Sequence, residues 1–312
     1  MRKSLVLLSL LALAACAEGG FQSPQPIATT AKKSASTTSD TIIGGEVVQP
    51  GSDVSKMVLS FKSLLHPLDN QTGHQKVAIT QCTASALTRR IVLTAAHCLN
   101  GENPSYVEIM EGTTVTTIPV VKTTVIDEFK TDAYADIALA VLKEDLPAST
   151  ITVSIPNPDM QIDLQKLDLI SAGYGKDTDA PGADLKDGLG VLRVVLLKIS
   201  GYEFSDSKFL VDQSNGKGFC QGDSGGPGLF KHQDKYYVMG VASKTVFPEE
   251  HKSSEATIAT CSFRGAYVNL LKFKTWIEKT TATLTAEIEA STSTTATETS
   301  EPMIAADQKL DD

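Results

Sequence analysis

A succession of short runs rich in β-branched residues, between residues 42 and 282, constrains the fold most strongly. Each run is bounded by Gly, Pro, Asn, Asp or charged residues, which is the composition of turns. The runs are MVLSF, KVAIT, IVLTA, YVEIM, VVKTTVI, IALAVL, LDLISAG, VLRVVLLKI and YYVMGVAS. Only LLKFKTWIEKTT, residues 270 to 281, has helical spacing. This length favours an all-β chain of two barrels with a terminal helix over a single sandwich.

Composition bounds the organisation of the chain. Its 312 residues are 41% hydrophobic, which suffices for one large or two modest domains, and its net charge of −9 argues against a nucleic-acid partner. Residues 17 to 41 are rich in Ser, Thr, Ala and Pro and are typical of a flexible tether. Residues 283 to 312 turn to Thr, Ser, Ala and acids, which predicts a disordered tail.

The first residues form a targeting segment. Arg2 and Lys3 precede an apolar run from Leu5 to Ala15 that is too short to span a bilayer. The run ends in Leu-Ala-Ala-Cys16, which resembles the lipobox of bacterial lipoproteins. That resemblance implies a signal peptide over 1–15, a tether and propeptide over 16–41, and a lipid on Cys16 that holds the protein at the outer membrane. The alternative is an ordinary secretory signal.

A glycine-dense stretch, GFCQGDSGGPGLF at 218 to 230, surrounds Ser224. Such glycines indicate either a surface turn or a backbone forced close to something, with its amides aimed at a point. Two distant stretches carry matching chemistry: LTAAHC holds His97, and ADIALAVL places Asp136 directly before an apolar strand. A serine hydroxyl becomes a good nucleophile only when a base and an orienting acid meet it in space.

In this order of histidine, aspartate and serine, the three stretches resemble the trypsin-like (chymotrypsin-fold) serine endopeptidases over about residues 42 to 282. The resemblance implies two six-stranded antiparallel β-barrels with a C-terminal α-helix, and protein or peptide substrates. It makes Ser224 the nucleophile, His97 the general base and Asp136 the residue that orients the imidazole. The N–H groups of Gly222 and Ser224 would form the oxyanion hole.

Each of these residues has another interpretation. His97 beside Cys98 could be a metal pair, but no second ligand pair stands nearby, and nothing in the sequence indicates a metal or an organic cofactor. Asp136 competes with Asp127 and Asp132, and only Asp136 precedes the apolar strand as the family motif requires.

The same resemblance implies activation by cleavage. IIGG at 42 to 45 matches the mature N-terminus of these enzymes, so that Ile42 would pair with Asp223 after a cut and the uncut chain would be a zymogen. Thr41 precedes the cut, so the activating protease is not implied to be trypsin-like. The family pattern pairs Cys82 with Cys98 and Cys220 with Cys261, which leaves Cys16 for the lipid.

The resemblance also places a substrate pocket at a set of four residues. Gly218 falls at the floor, where an aspartate would select basic side chains, and the set favours small or medium apolar residues before the cut. The pocket residues are Gly218, Ser243, Thr245 and Gly265.

Two further functions compete with the peptidase. One is a catalytically silent, trypsin-like binding or regulatory lipoprotein, and the other is an adhesive surface head. Relatives of the first kind usually lose a triad residue, whereas this chain retains His97, Asp136 and Ser224. The sequence therefore favours an exported, active endopeptidase, released into the periplasm or the medium after activation.

Overall fold

A computed structural model of the chain describes residues 42–65, 78–99, 103–111, 114–164, 166–179, 188–203, 205–246 and 261–298. The predicted signal peptide over 1–15 and the tether over 16–41, with Cys16, lie outside the described residues. The final residues, 299–312, lie outside them as well.

The N-terminal half forms a closed antiparallel barrel. Its strands follow the order β2-β3-β4-β7-β6-β5, and the β2–β5 pairing closes the ring. Both β4 and β7 are buried along their whole length, as their continuous apolar sequences require. The strands up to this point are β1 (Glu46–Val47), β2 (Val58–Leu65), β3 (Ala78–Ala86), β4 (Ile91–Thr94), β5 (Ser105–Glu111), β6 (Thr114–Val125) and β7 (Ala138–Leu142).

The C-terminal half forms the second barrel. Its strand order is β9-β10-β13-β12-β11-β8, the β8–β9 pairing closes it, and β1 adds to the outside of β9. These strands are β8 (Asp168–Gly173), β9 (Arg193–Glu203), β10 (Lys208–Asp212), β11 (Pro227–His232), β12 (Lys235–Val246) and β13 (Arg264–Asn269). The predicted fold of two six-stranded antiparallel barrels is confirmed.

Short 3₁₀ turns and one helix complete the described chain. The turns are Val54–Lys56, Ala96–Cys98 and Asp127–Lys130, and the helix α1 is Leu270–Glu298. The predicted helix is therefore present but longer than its sequence pattern indicates. No helix in the described ranges is long and apolar enough to cross a membrane.

The extra length of α1 makes residues 283–298, the first part of the predicted disordered tail, helical. Leu284 is 2% exposed and packs, with Ile277, in the core cluster that includes the first barrel. Glu287 pairs with Lys122 on β6 at 2.5 Å. Thr residues have low helix propensity, but packing against the barrel overrides it here, and the hydroxyl of Thr285 bonds the carbonyl of Thr281.

Candidate active site

The histidine and the aspartate of the motif meet because their strands pair. His97 lies in the 3₁₀ turn that follows β4, and Asp136 lies just before β7, whose register with β4 sets Thr94 opposite Ala138. The Nδ1 atom of His97 is 2.7 Å from Asp136 Oδ2, and the His97 backbone N–H donates to Asp136 Oδ1 at 2.9 Å. The two-point contact fixes the imidazole relative to the carboxylate.

The competing aspartates lie on the surface and do not reach His97 in this way. Asp127 forms an ion pair with Lys130 three residues along the chain. Asp132 accepts a local hydrogen bond from the N–H of Tyr134. Of the three candidates, the geometry favours Asp136.

Asp136 is an ionised, nearly inaccessible carboxylate. It is 3% exposed, and burial by itself raises its pKa. The hydrogen bond and charge of His97, together with a hydrogen bond from Ser243, outweigh burial, so the pKa of Asp136 lies below its ordinary value. Because the carboxylate accepts the Nδ1–H, the Nε2 atom is left as the proton acceptor of the neutral ring.

Ser224 lies in the turn between Cys220 and β11, and this turn is tied to the first barrel. The carbonyl of Ser224 accepts from the N–H of Thr83 on β3 at 2.8 Å, and the carbonyl of Gly222 accepts from the Thr83 hydroxyl at 3.0 Å. Cys98, the neighbour of His97, has its Sγ atom 3.6 Å from the Ser224 carbonyl. Within the described residues, no hydrogen bond joins the Ser224 hydroxyl to His97.

The glycines around Ser224 are required by close packing. Gly222 has φ +96°, and a Cβ there would lie 2.8 Å from the Cα of Gly175. Gly225 has φ +83°, and a Cβ there would lie 2.2 Å from the Thr94 hydroxyl. Backbone amides that pair with carbonyls hold the rest of the turn; these are the amides of Asp223, Gly225 and Gly226.

Within the described residues, three amides of this turn have no such partner: that of the exposed Gln221 and those of Gly222 and Ser224. The last two belong to the residue two before the serine and to the serine itself, which are the positions named for the oxyanion hole. An anionic oxygen near Ser224 would supply the acceptor that they lack.

Asp223 is a buried carboxyl held by backbone amides. It is 1% exposed, and its carboxylate accepts from the N–H groups of Gly175 and Cys220 at 2.7 and 2.8 Å. Burial raises the pKa of Asp223 to about 7, against the lowering effect of those two hydrogen bonds and of the Arg193 charge. Among the described residues, no ion pair reaches this carboxylate.

Ile42, the predicted partner of Asp223, lies in the second barrel. It is fully buried in a cluster with Phe219 and Tyr267, and its neighbour Ile43 bridges to Gly218. Ile42 also has φ +39°, which is rare for a β-branched residue, so the backbone is strained where the predicted cleavage site begins.

The two glycines of the predicted pocket face one glutamine side chain. A Cβ on Gly218 would lie 2.3 Å from Gln213 Cδ, and one on Gly265 would lie 2.2 Å from Gln213 Oε1 and 2.4 Å from the Phe219 ring. Gln213 is 1% exposed and donates to the carbonyls of Phe219 and Cys261 at 3.0 and 2.6 Å. Sequence reasoning missed Gln213 because it belongs to the polar stretch DQSNGKG, which is typical of a surface turn.

The other two predicted pocket residues lie on β12. The β12–β13 register shifts between Ala242 and Lys244, so that Ser243 occupies a bulge, and Thr245 pairs with Gly265. The bulge directs the Ser243 hydroxyl to Asp136 Oδ2, to which it donates at 2.6 Å. Ser243 therefore supports the aspartate.

Lys208 also belongs to this centre, and the sequence did not indicate it. It is fully buried at the start of β10, and its Nζ atom donates to the Ser243 hydroxyl at 2.9 Å. Burial and the charge of Lys244 lower the pKa of Lys208 to about 8, although Asp136 and other acids favour its charged form. The only signal was one lysine opening the apolar run KFLVD.

Two disulfides frame the centre. They join Cys82 to Cys98 and Cys220 to Cys261, as the resemblance implies. Two clusters in the described residues have the composition of a metal site, one around Cys82 and Cys98 and one around Cys220 and Cys261. Their sulfurs form the two disulfides, so neither cluster offers a thiolate to a metal. Disulfides are typical of proteins exported to an oxidising compartment.

Comparison with protein families agrees with this geometry. The family model described as Trypsin matches residues 42–277, which covers both barrels and the first turns of α1. The match includes His97, Asp136 and Ser224. The chain therefore belongs to the trypsin family, with the chymotrypsin fold of two barrels.

Proposed function

We propose that this protein is a serine endopeptidase that cleaves peptide bonds through an acyl-enzyme on Ser224. The observation that carries the proposal is the 2.7 Å contact between His97 Nδ1 and Asp136 Oδ2, which makes Nε2, 3.9 Å from the disulfide-bonded Cys98 Sγ, the base of the pair. The Ser224 turn contacts Cys98, the neighbour of His97. Within the described residues, the N–H groups of Gly222 and Ser224 in this turn donate no hydrogen bond.

The reaction follows from the protonation states at this centre. His97 Nε2 takes the Ser224 hydroxyl proton as Oγ attacks the carbonyl carbon, and Asp136 stabilises the imidazolium that forms. The N–H groups of Gly222 and Ser224 donate to the carbonyl oxygen as it becomes negative, a contribution of about 3 kcal/mol per donor. His97 then protonates the leaving amine, and water repeats the sequence on the ester to release the acid.

Activation requires a cation for Asp223. Cleavage between Thr41 and Ile42 creates an ammonium at Ile42, which pairs with the Asp223 carboxylate and fixes the turn that carries Gly222 and Ser224. Burial raises the pKa of Asp223 to about 7, as expected for a buried carboxyl that has no cation beside it to stabilise its charged form. The uncut chain is accordingly a zymogen.

The proposal extends to the cellular site of the protein. The lipid on Cys16 holds the zymogen at the outer membrane, and the cut before Ile42 severs the only covalent link to that lipid. The active enzyme is then released to the periplasm or the medium. The identity of the activating protease is open, since Thr41 gives no basic residue to recognise.

Small apolar residues before the scissile bond fit the proposed pocket. Gly218 provides no carboxylate for a Lys or Arg side chain, and a buried unpaired ammonium is costly. Gln213 and Phe219 also occupy the space that faces Gly218 and Gly265, which reduces the room for a large side chain. We expect alanine to be preferred over leucine, and both over lysine and arginine.

A fluorophosphonate probe tests the proposed reaction. The chain from residue 17 and the chain that begins at Ile42 are incubated with the probe, with Ser224→Ala and His97→Ala as matched variants. We expect labelling of the chain from Ile42 alone, its loss in Ser224→Ala, and a comparably large loss in His97→Ala because the triad acts as a unit. A folded chain from Ile42 that does not label would instead favour the catalytically silent binding protein.

A further inference from the structure

Lys208 is a buried lysine beside the proposed catalytic pair. Its side chain has no exposed surface, whereas lysines are almost never fully buried unless they are paired. It opens β10, which lies between β9 and β13 in the second barrel. Burial of an ammonium is costly, and a methionine of similar length would fill this position without that cost.

A chain of hydrogen bonds connects Lys208 to His97 through Ser243 and Asp136. The Nζ atom donates to Ser243 Oγ at 2.9 Å, and an ammonium has no acceptor, so the serine hydrogen must point elsewhere. That hydrogen is donated to Asp136 Oδ2 at 2.6 Å, the oxygen that also receives His97 Nδ1–H. The ammonium therefore fixes the hydroxyl as a donor to the carboxylate.

Charged groups of both signs face this ammonium from the neighbouring elements. Lys244 on β12 repels it, while Asp136 and Asp132, before β7, and Glu203 at the end of β9 attract it. The centroid of the Tyr134 ring lies 5.8 Å from Lys208 Nζ and 5.4 Å from Lys244 Nζ. Lys208 differs from Lys244 in being buried and bonded to Ser243.

We propose that Lys208 is a positioning residue that fixes the Ser243 hydroxyl on Asp136 and opposes protonation of His97. This role is useful to the protein only if the proposed function is correct, but the effect of the Lys208 charge on His97 can be measured without catalysis. A positive charge near the imidazole favours the neutral, basic form of the ring. The enzyme would thereby keep its general base available at lower pH.

The size of the effect follows from the chain of contacts. The three hydrogen bonds, of 2.9, 2.6 and 2.7 Å, place the ammonium no more than about 8 Å from the ring nitrogen. At that distance, effective dielectric constants between 80 and 20 give a shift of about 0.4 to 1.5 pH units. The His97 titration midpoint should rise by this amount when the charge is removed.

An NMR titration in the Ser224→Ala background measures this without relying on catalysis. The Nδ1–H proton of His97 is followed from pH 4 to 9 in the chain from Ile42, with Lys208, Lys208→Met or Lys208→Arg. Lys208→Met should raise the midpoint by about 0.4 to 1.5 units, and Lys208→Arg, which keeps the charge, by less than half of that. A Lys244→Met variant removes the neighbouring charge as the matched control and should shift the midpoint less than Lys208→Met.

An unchanged midpoint in Lys208→Met, or equal shifts in Lys208→Met and Lys244→Met, would overturn the proposal. Should Lys208→Met fail to fold, Lys208→Gln and Lys208→Arg are compared in the same way, and equal midpoints for these two would also overturn it. In the active chain, the acid limb of the kcat/KM profile should move with the NMR midpoint. Absence of peptidase activity with the NMR shift present would reject the proposed function and leave the electrostatic role of Lys208 standing.

Discussion

Replacing Asp223 by asparagine should remove a pH dependence from the stability of the uncut chain. Asp223 is 1% exposed, and burial raises its pKa to about 7, while an unfolded aspartate titrates near 3.9. A difference of about 3 units corresponds to at most about 4 kcal/mol of folding free energy. Half of that would still be readily measured.

The sign follows from the direction of the shift. Below about pH 4, both the folded and the unfolded chains keep the Asp223 proton, and the carboxyl causes no change. Between about pH 4 and 7, the unfolded chain releases that proton while the folded chain retains it, so stability is lost as pH rises through this window. Asparagine carries no such proton, and the loss should disappear.

Urea unfolding of the uncut chain from residue 17 measures the effect, in the Ser224→Ala background to prevent self-cleavage. The free energy of unfolding is determined at pH 4.5, 5.5, 6.5 and 7.5 for Asp223 and Asp223→Asn. The asparagine can accept only one of the hydrogen bonds from Gly175 and Cys220, so it adds a constant cost of about 1–3 kcal/mol. Only the change with pH tests the reasoning.

The control is Asp234→Asn, because the Asp234 side chain is 98% exposed. It should leave the pH dependence of the uncut chain unaltered. In the chain that begins at Ile42, the wild-type loss between pH 4 and 7 should vanish if the new ammonium pairs with the carboxylate as proposed. Parallel pH curves for Asp223 and Asp223→Asn in the uncut chain would refute the argument.

Gln213→Ala should shift the preference of the active enzyme toward leucine over alanine before the cut, because it removes the amide that faces Gly218. Each additional buried carbon is worth about 0.8 kcal/mol, so the ratio of kcat/KM for leucine over alanine peptides should rise about fourfold for each carbon that the enlarged pocket buries. An unchanged ratio would contradict the pocket assignment. Leu284→Ala should destabilise the fold by about 2–5 kcal/mol, against less than about 1 kcal/mol for the exposed Glu287→Ala, as measured by urea unfolding. Equal losses for these two variants would mean that the end of α1 is not part of the core.

The sequence predicted the fold well where local pattern and tertiary role agree. IVLTA and IALAVL are continuous apolar runs, and they form the fully buried strands β4 and β7. The missed strands are the two-residue β1 and the longer β10, β11 and β13. The last three open with Lys208, Pro227 and Arg264, and β11 and β13 also contain glycine, which depresses β propensity. Their pairing across the second barrel decides their conformation, and a local window cannot detect it.

The candidate site was predictable as a motif but incomplete as an environment. His97, Asp136 and Ser224 each lie in a distinctive local sequence, so their order along the chain is informative without a structure. Gln213 and Lys208 lie in ordinary sequence, and they matter only because the second barrel folds them inward. The end of α1 shows the same limit, since its Thr-rich composition predicts disorder and only the packing of Leu284 reveals the helix.

Asp136 and Asp223 differ in a way that indicates which part of the proposed centre the proposed cleavage would complete. Both are nearly inaccessible, at 3% and 1% exposure, so burial raises both pKa values. His97 and Ser243 lower the pKa of Asp136 below its ordinary value, whereas two backbone amides and the charge of Arg193 leave that of Asp223 near 7. The histidine–aspartate pair is thus already assembled, while no residue of the described ranges forms an ion pair with the carboxyl next to Ser224. On the proposed activation, cleavage before Ile42 would therefore act on the serine turn and its amide donors, because the histidine–aspartate pair is already formed.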